Sequence, residues 1–399
     1  MKKRLLSLVV ASSMVVSLAG CGTKSKDNKE NANTTTPATE EAPATEEATD
    51  DAAATEAPAV TVDGKIALIT DSGDITDESF NQSAWEGVCA FGDKNNIEYV
   101  YYKPSDDTDE ERINSIDLAV EEGATVLVLP GYLFGPALAE CQESHPDVNF
   151  IALDLSEYDL GTTIASNAYA CTFMEEQAGY LAGYAAVKEG YTKLGFLGGI
   201  AVPAVIRYGY GYVQGANAAA EEMNTDIEIK YTYGGQFYGD ANITAKMESW
   251  YDQGTEIVFA CGGGIYTSAM EAALNHDGMI IGVDVDQYSV GKGTVENPNK
   301  YNPVLTSAMK GLQATVLDKL EAYFSGQWDT IGGKIDNLGL AQGDYIGLPT
   351  EGDSWTFKKF TKDEYETVLA GIKDGSISIS NDTENQPEVG EHTTFTVIE

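Results

Sequence analysis

Residues 65–102 read KIALITDSGDITDESFNQSAWEGVCAFGDKNNIEYVYY. The run Ile66 to Ile69 has the length and apolar character of a buried strand and breaks at Asp71. An acidic loop with Gly73 at its centre follows, and Ser79-Phe80-Asn81-Gln82 opens a helix predicted over 79–93 before a second strand at 97–102. The same alternation continues: strands at 125–129 and 148–153 with helices at 109–122 and 134–144, then a short strand near Thr163 to Ser166. After it the pattern restarts with helix 173–189, strand 193–197, helix 204–222, strand 226–232, helix 241–253, strand 256–260, helix 265–275 and strand 279–283. A strand near Thr306 leads into a long helix at 308–325. Alternation of this kind predicts an α/β fold with two parallel sheets, each covered by helices on both faces.

In open sheets of this type ligands bind beyond the carboxyl ends of the strands, so the loops that follow strands carry the function. Asp71, Asp74 and Asp77 are three apart, not two as in a calcium loop, and an acidic loop repels phosphate. There is no G-x-S-x-G elbow, and Ser79 has no histidine near it in sequence. Carboxylates here suit a ligand that donates hydrogen bonds, and Phe80 beside them offers a stacking face. A sugar, a nucleoside or a cationic solute fits those demands. Simpler roles compete: Asp77 or Ser79 as helix cap, Phe80 as core, and Gly262-Gly263-Gly264 as a place of close backbone approach.

The chain ends frame this body. Lys2, Lys3 and Arg4 precede an apolar stretch, Leu5 to Leu18, which is short for a bilayer span. Leu18-Ala19-Gly20-Cys21 resembles the lipobox of bacterial lipoproteins, which implies cleavage before Cys21 and lipidation of its sulfur, hence a protein exported and anchored to the outer face of the cell membrane. Residues 22–60 are rich in Thr, Ala, Glu and Pro with no aromatic residue, the composition of an acidic tether. With 63 acidic against 24 basic residues, the net charge of −39 makes nucleic acid and anionic lipid surfaces poor partners. Cys89, Cys141, Cys171 and Cys261 form no close pair and read as buried free thiols, and the three histidines are scattered, so neither a metal nor a cofactor is expected.

The stretch Asp71-Ser72-Gly73-Asp74-Ile75-Thr76-Asp77-Glu78-Ser79-Phe80-Asn81-Gln82 through Gly87 resembles the N-terminal signature of the BMP (basic membrane protein) lipoproteins, which include the purine-nucleoside receptors of ABC importers. Further matches follow in order: Glu175 to Gly183, Gly195 to Gly199, Pro203 to Gly215, Gly282 to Gln287 and Leu305 to Lys310. The resemblance implies two doubly wound Rossmann-like lobes, the class I periplasmic-binding-protein fold, with the ligand cleft between them. It implies a base held between Phe80 and Phe237, with Asp71, Asp154, Asp284 and Lys310 on ribose and base edges, and Ser79, Asn81 and Gly263 alongside. Ser79 stands where nucleoside receptors often carry Asn, and Pro136 where many members carry Asp, two departures that bear on base selectivity.

The expected organisation is a signal peptide at 1–20, an anchor and tether at 21–60, a first lobe at 64–167 with about 308–330, a second at 168–307 with about 331–350, and a C-terminal helix and tail at 351–399. The expected function is a monomeric solute-binding lipoprotein, not an enzyme, that captures a nucleoside and passes it to an ABC permease. The rivals are a receptor for a sugar or other small polar solute, and a nucleoside hydrolase with paired carboxylates.

Overall fold

The computed structural model describes residues 61–398; Cys21, the apolar leader and the acidic tether lie outside them. The chain begins β1 (Lys65–Ile69), α1 (Phe80–Asn95), β2 (Glu98–Tyr102), α2 (Asp109–Glu121), β3 (Val126–Pro130), α3 (Gly135–Ser144), β4 (Asn149–Leu153), α4 (Glu157–Leu160) and β5 (Ala168–Phe173). It continues α5 (Glu175–Glu189), β6 (Lys193–Gly198), α6 (Pro203–Met223), β7 (Ile227–Tyr233), α7 (Ala241–Asp252), β8 (Ile257–Cys261), α8 (Tyr266–His276), β9 (Met279–Asp284), α9 (Tyr288–Gly291) and β10 (Val304–Lys310). It closes with α10 (Leu312–Phe324), β11 (Lys334–Leu338), β12 (Ile346–Gly347), α11 (Lys362–Lys373) and β13 (Thr393–Val397).

Two sheets result, in the orders β11-β5-β4-β3-β1-β2 and β12-β10-β9-β8-β6-β7-β13. Every pairing is parallel except β10 with β12. Successive side chains of a strand point to opposite faces, and here both faces are buried. In the first sheet Ile66, Leu68, Val126 and Val128 meet one apolar cluster with α1 and α10, while Ala67, Ile69, Leu127 and Leu129 meet another with α2 and α3. In the second, Leu197, Val258 and Ile280 pack under α7 and α8.

The opposite face of the second sheet carries α5 and α6, whose glycines let the two backbones touch. A Cβ on Gly179 would stand 2.0 Å from the Tyr208 carbonyl oxygen, and one on Gly215 would stand 2.0 Å from that of Tyr180. Small residues at this spacing are what the Glu175 to Gly183 and Pro203 to Gly215 stretches share, and they fix Glu175 against Arg207.

Several boundaries differ from the sequence reading. The strand expected near 163–166 forms at 168–173, and those residues, expected in the second lobe, pair with β4 of the first sheet. The 331–350 stretch, also expected there, is divided: β11 joins the first sheet and β12 the second. Strand β10 runs on to Lys310, so the helix expected from 308 begins at Leu312. The tail beyond α11 is not merely polar, since β13 extends the second sheet beside β7. The chain therefore passes between the sheets three times: after β5, after β10 and after β11. Among the described residues no helix is long and apolar enough to cross a membrane.

Candidate functional site

In each sheet the strand order reverses beside the first strand of its half, β1 and β6, and the loops after these strands and their neighbours meet around a cavity of about 450 Å³. Its walls include Asp71, Phe80, Asn81, Tyr132 and Asp154 from the first half and Arg207, Tyr208, Phe237, Gly262 to Gly264, Asp284 and Lys310 from the second.

The acidic loop is built as a turn around two carboxylates. Asp77 caps α1, accepting from the backbone N–H groups of Ser79 (2.9 Å), Asn81 (3.0 Å) and Gln82 (3.1 Å). Asn81 then donates from Nδ2 to Asp71 Oδ1 (3.0 Å) and to Asp77 Oδ2 (3.2 Å), tying the strand end to the helix start. Burial pushes Asp71 up to about 6 although Gly73 and Asn81 donate to it.

Asp154 and Asp284 end corresponding strands of the two halves, β4 and β9, and both take left-handed backbone, at φ 55° and 64°. Asp is among the few residues that tolerate this conformation. Lys310, at the end of β10, reaches across to Asp154 (Nζ to Oδ2, 2.5 Å) and also pairs with Glu175 Oε1 (3.1 Å). Its ammonium lies 5.1, 5.4 and 5.5 Å from the ring centres of Phe80, Phe173 and Tyr208. Burial works against that charge, but Asp154, Glu175 and Asp284 outweigh it and hold Lys310 firmly protonated. Burial likewise opposes ionisation of Glu175, yet Arg207 (Nε to Oε2, 2.6 Å) and Lys310 keep it below the usual carboxylate range. Burial raises Asp154 in spite of Lys310, and its buried Oδ1 has no hydrogen-bond donor among the described residues.

Phe237 is seated by glycines: a Cβ on Gly199 or Gly262 would meet its ring at 2.5 or 2.9 Å. Gly264 donates its N–H to the Phe237 carbonyl (2.8 Å), and Gly262 takes φ 134°. The glycine stretch after β8 thus admits an aromatic to the cavity wall, and Gly263 lines the cavity beside it.

Of the nine expected ligand residues, Asp71, Phe80, Asn81, Asp154, Phe237, Gly263, Asp284 and Lys310 meet at this cavity. Ser79 does not. It is fully buried, and its hydroxyl donates to Asp284 Oδ2 (2.6 Å), which leaves it no reach to a ligand. With Gln287 Nε2 donating to the Glu78 carbonyl (2.8 Å), that bond joins the two halves.

Sequence reasoning missed Glu175, Arg207 and Tyr208. Two acids opening an otherwise apolar helix, Glu175-Glu176, were the available signal, because buried carboxylates need a cation. Sequence distance also hid a second grouping: Asp117, Cys141 and His145 bring their ligand atoms within 4.8 Å. His145 Nε2 already shares a hydrogen bond with Asp117 Oδ1 (2.7 Å), and burial pushes the Cys141 thiol up to about 12.

Comparison with known proteins agrees with this architecture. Residues 65–382 match the Bmp family model, described as ABC transporter substrate-binding protein PnrA-like. The ABC transporter nucleoside-binding protein BmpA of Lactococcus lactis is 30% identical over 333 residues, 80% of this chain and 90% of the relative. A CD4+ T-cell-stimulating antigen of Listeria innocua is 28% identical over 95% of this chain and 99% of its own. Among solved structures, an ABC transporter solute-binding protein from Aeropyrum pernix superposes with a TM-score of 0.68 at 19% identity, over 80% of this chain and 93% of that one. The folds agree: two doubly wound α/β halves of the class I solute-binding type. The chain belongs to the Bmp family of PnrA-like ABC transporter substrate-binding proteins.

Proposed function

We propose that this protein captures a nucleoside, foremost a purine nucleoside, in the cavity between its halves and delivers it unchanged to an ABC permease, held at the outer face of the membrane by a lipid on Cys21. The observation that carries this reading is the gathering of three carboxylates that end strands, Asp71, Asp154 and Asp284, with two aromatics, Phe80 and Phe237, around one cavity. Carboxylates accept but do not donate, so a ribose with its adjacent hydroxyl donors suits such a lining. Phe80 and Phe237 line the cavity from opposite halves, and a base between them would stack. Charged hydrogen bonds of about 1.5–3 kcal/mol each and stacking of about 1–3 kcal/mol per base are sufficient for sub-micromolar binding after ordering costs. The Lactococcus lactis relative is named as a nucleoside-binding protein, which supports the same reading.

The carboxylates act as acceptors, not as catalysts. Asp71, Asp154 and Asp284 come from separate strand ends, and Lys310 together with Arg207 balances the charges of Asp154 and Glu175. Incubating a stoichiometric complex with a purine nucleoside for a day should return the nucleoside intact. Free base and ribose forming with turnover, and ceasing in Asp71→Asn, would establish a hydrolase instead.

A further inference from the structure

The segment after α11 is held along one face of α6. Gln214 Nε2 donates to the Ser380 carbonyl (2.9 Å) and its Oε1 accepts from the Ser380 N–H (2.8 Å). Asn217 Oδ1 accepts from Gly390 N–H (2.8 Å), and Glu221 Oε1 from His392 N–H (3.0 Å). Positions 214, 217 and 221 are neighbours on a helix surface, so these bonds form one row. Beyond them β13 locks the end of the segment to β7. Between the anchors Asp382 Oδ1 accepts from the N–H groups of Glu384 (2.7 Å) and Asn385 (3.1 Å), which fixes a turn. That turn puts Thr383, half-buried, and Glu384, exposed, on the wall of the ligand cavity. The family match ends at residue 382, just short of both.

We infer that residues 376–392 form a strap that sets the charge selectivity of the cavity mouth, with Glu384 turning away phosphorylated forms of the ligand and Thr383 offering a neutral hydrogen-bonding edge. The inference rests on the nucleoside reading above. A carboxylate at the mouth costs a neutral nucleoside little, whereas it repels a phosphate dianion, and in an exposed position that repulsion is screened by salt. Asp71, Asp77, Asp154, Asp159 and Asp284 line the same cavity against the cations Arg207 and Lys310, so Glu384 adds to an excess of acids and does not create it alone.

The test is calorimetric titration of the full-length protein with adenosine, guanosine, inosine and their 5′-monophosphates, for wild type, Glu384→Gln, Glu384→Lys and Glu388→Gln. Glu388 sits on the same strap but lines a separate cavity with Tyr210 and Gln214, so it controls for net charge. Expected for Glu384→Gln is a fall of roughly fivefold in the ratio of monophosphate to nucleoside Kd, larger for Glu384→Lys and shrinking at about 0.5 M salt. Glu388→Gln should leave the ratio within about twofold, since its charge is screened from the cavity. An unchanged ratio in both Glu384 variants, or an equal shift in Glu388→Gln, overturns the strap's role and leaves nucleoside binding standing. If no nucleoside binds the wild type, the proposed function falls and this inference with it.

Discussion

Replacing Lys310 by Met is the most informative single change to the protein's interior. The side chain is nearly inaccessible, and its ammonium sits 2.5 Å from Asp154 and 3.1 Å from Glu175 with Asp284 also acting on it. Methionine fills similar volume, so the loss is electrostatic and not a cavity. Removing one partner of a buried ion pair costs about 3–5 kcal/mol, because the remaining charge stays buried without compensation. Here two carboxylates lose their counter-charge, leaving Arg207 as the cation on Glu175. Urea unfolding of ligand-free protein at pH 7.5 should therefore show a loss near the top of that range. At pH 5.5 the loss should be smaller, since the stranded carboxylates can take up protons and the folded state gains by holding them. Adding Asp154→Asn to Lys310→Met should recover a large part of the stability, a coupling that the double-mutant cycle reads directly. A loss below about 1 kcal/mol, or one independent of pH, would refute a charge-compensating role for Lys310.

Phe80→Ala should weaken nucleoside binding by about 1–3 kcal/mol in titration with little change in melting temperature, whereas a large melting loss with normal binding would make the ring a core residue. Burial pushes Asp71 up to about 6 and Glu176 up to about 7, so the folded state holds these protons more tightly than the unfolded chain. Their stabilising effect is complete below about pH 4 and disappears as pH rises through 6 to 7, so ligand-free protein should be about 2–4 kcal/mol more stable at pH 5 than at pH 7.5 by chemical denaturation. Below about pH 4 the trend should reverse as Glu175, held low by Arg207 and Lys310, is forced to protonate. Gly179→Ala should destabilise the fold by about 1–3 kcal/mol in the same assay, since its methyl group meets the Tyr208 carbonyl.

The parts legible in the sequence are those with strong local signals. Apolar runs such as Ile66 to Ile69 and Val126 to Leu129 announce strands buried on both faces, and acids directly after such runs announce Asp71, Asp154 and Asp284. Strand β5 lies later than expected because Thr162-Thr163-Ile164 is richer in β-branched residues than Ala168–Phe173, where only Thr172 is β-branched. The sheet membership of β11 depends on pairings between residues more than 160 apart, such as Lys334 with Tyr169, and that of β5 on its pairing with β4, such as Ala168 with Phe150; no local pattern encodes either. Ser79 was misread for a related reason: its partner, Asp284, is 205 residues away. The C-terminal strap has little apolar periodicity, since its hold on α6 comes from side-chain amides and carboxylates meeting backbone groups. Its place on the cavity wall is a tertiary fact alone.

The central claim, that the cavity between the halves is a nucleoside site, is tested most directly by calorimetric titration with purine and pyrimidine nucleosides, free bases, ribose and other sugars. The account predicts binding of one purine nucleoside per chain with sub-micromolar Kd, at least tenfold weaker binding of the free base once the ribose contacts to Asp71, Asp154 and Asp284 are lost, and a marked loss of nucleoside affinity in Asp154→Asn, roughly 1.5–3 kcal/mol for one charged hydrogen bond. No heat with any nucleoside, beside tight binding of a sugar that survives Phe80→Ala, would contradict it.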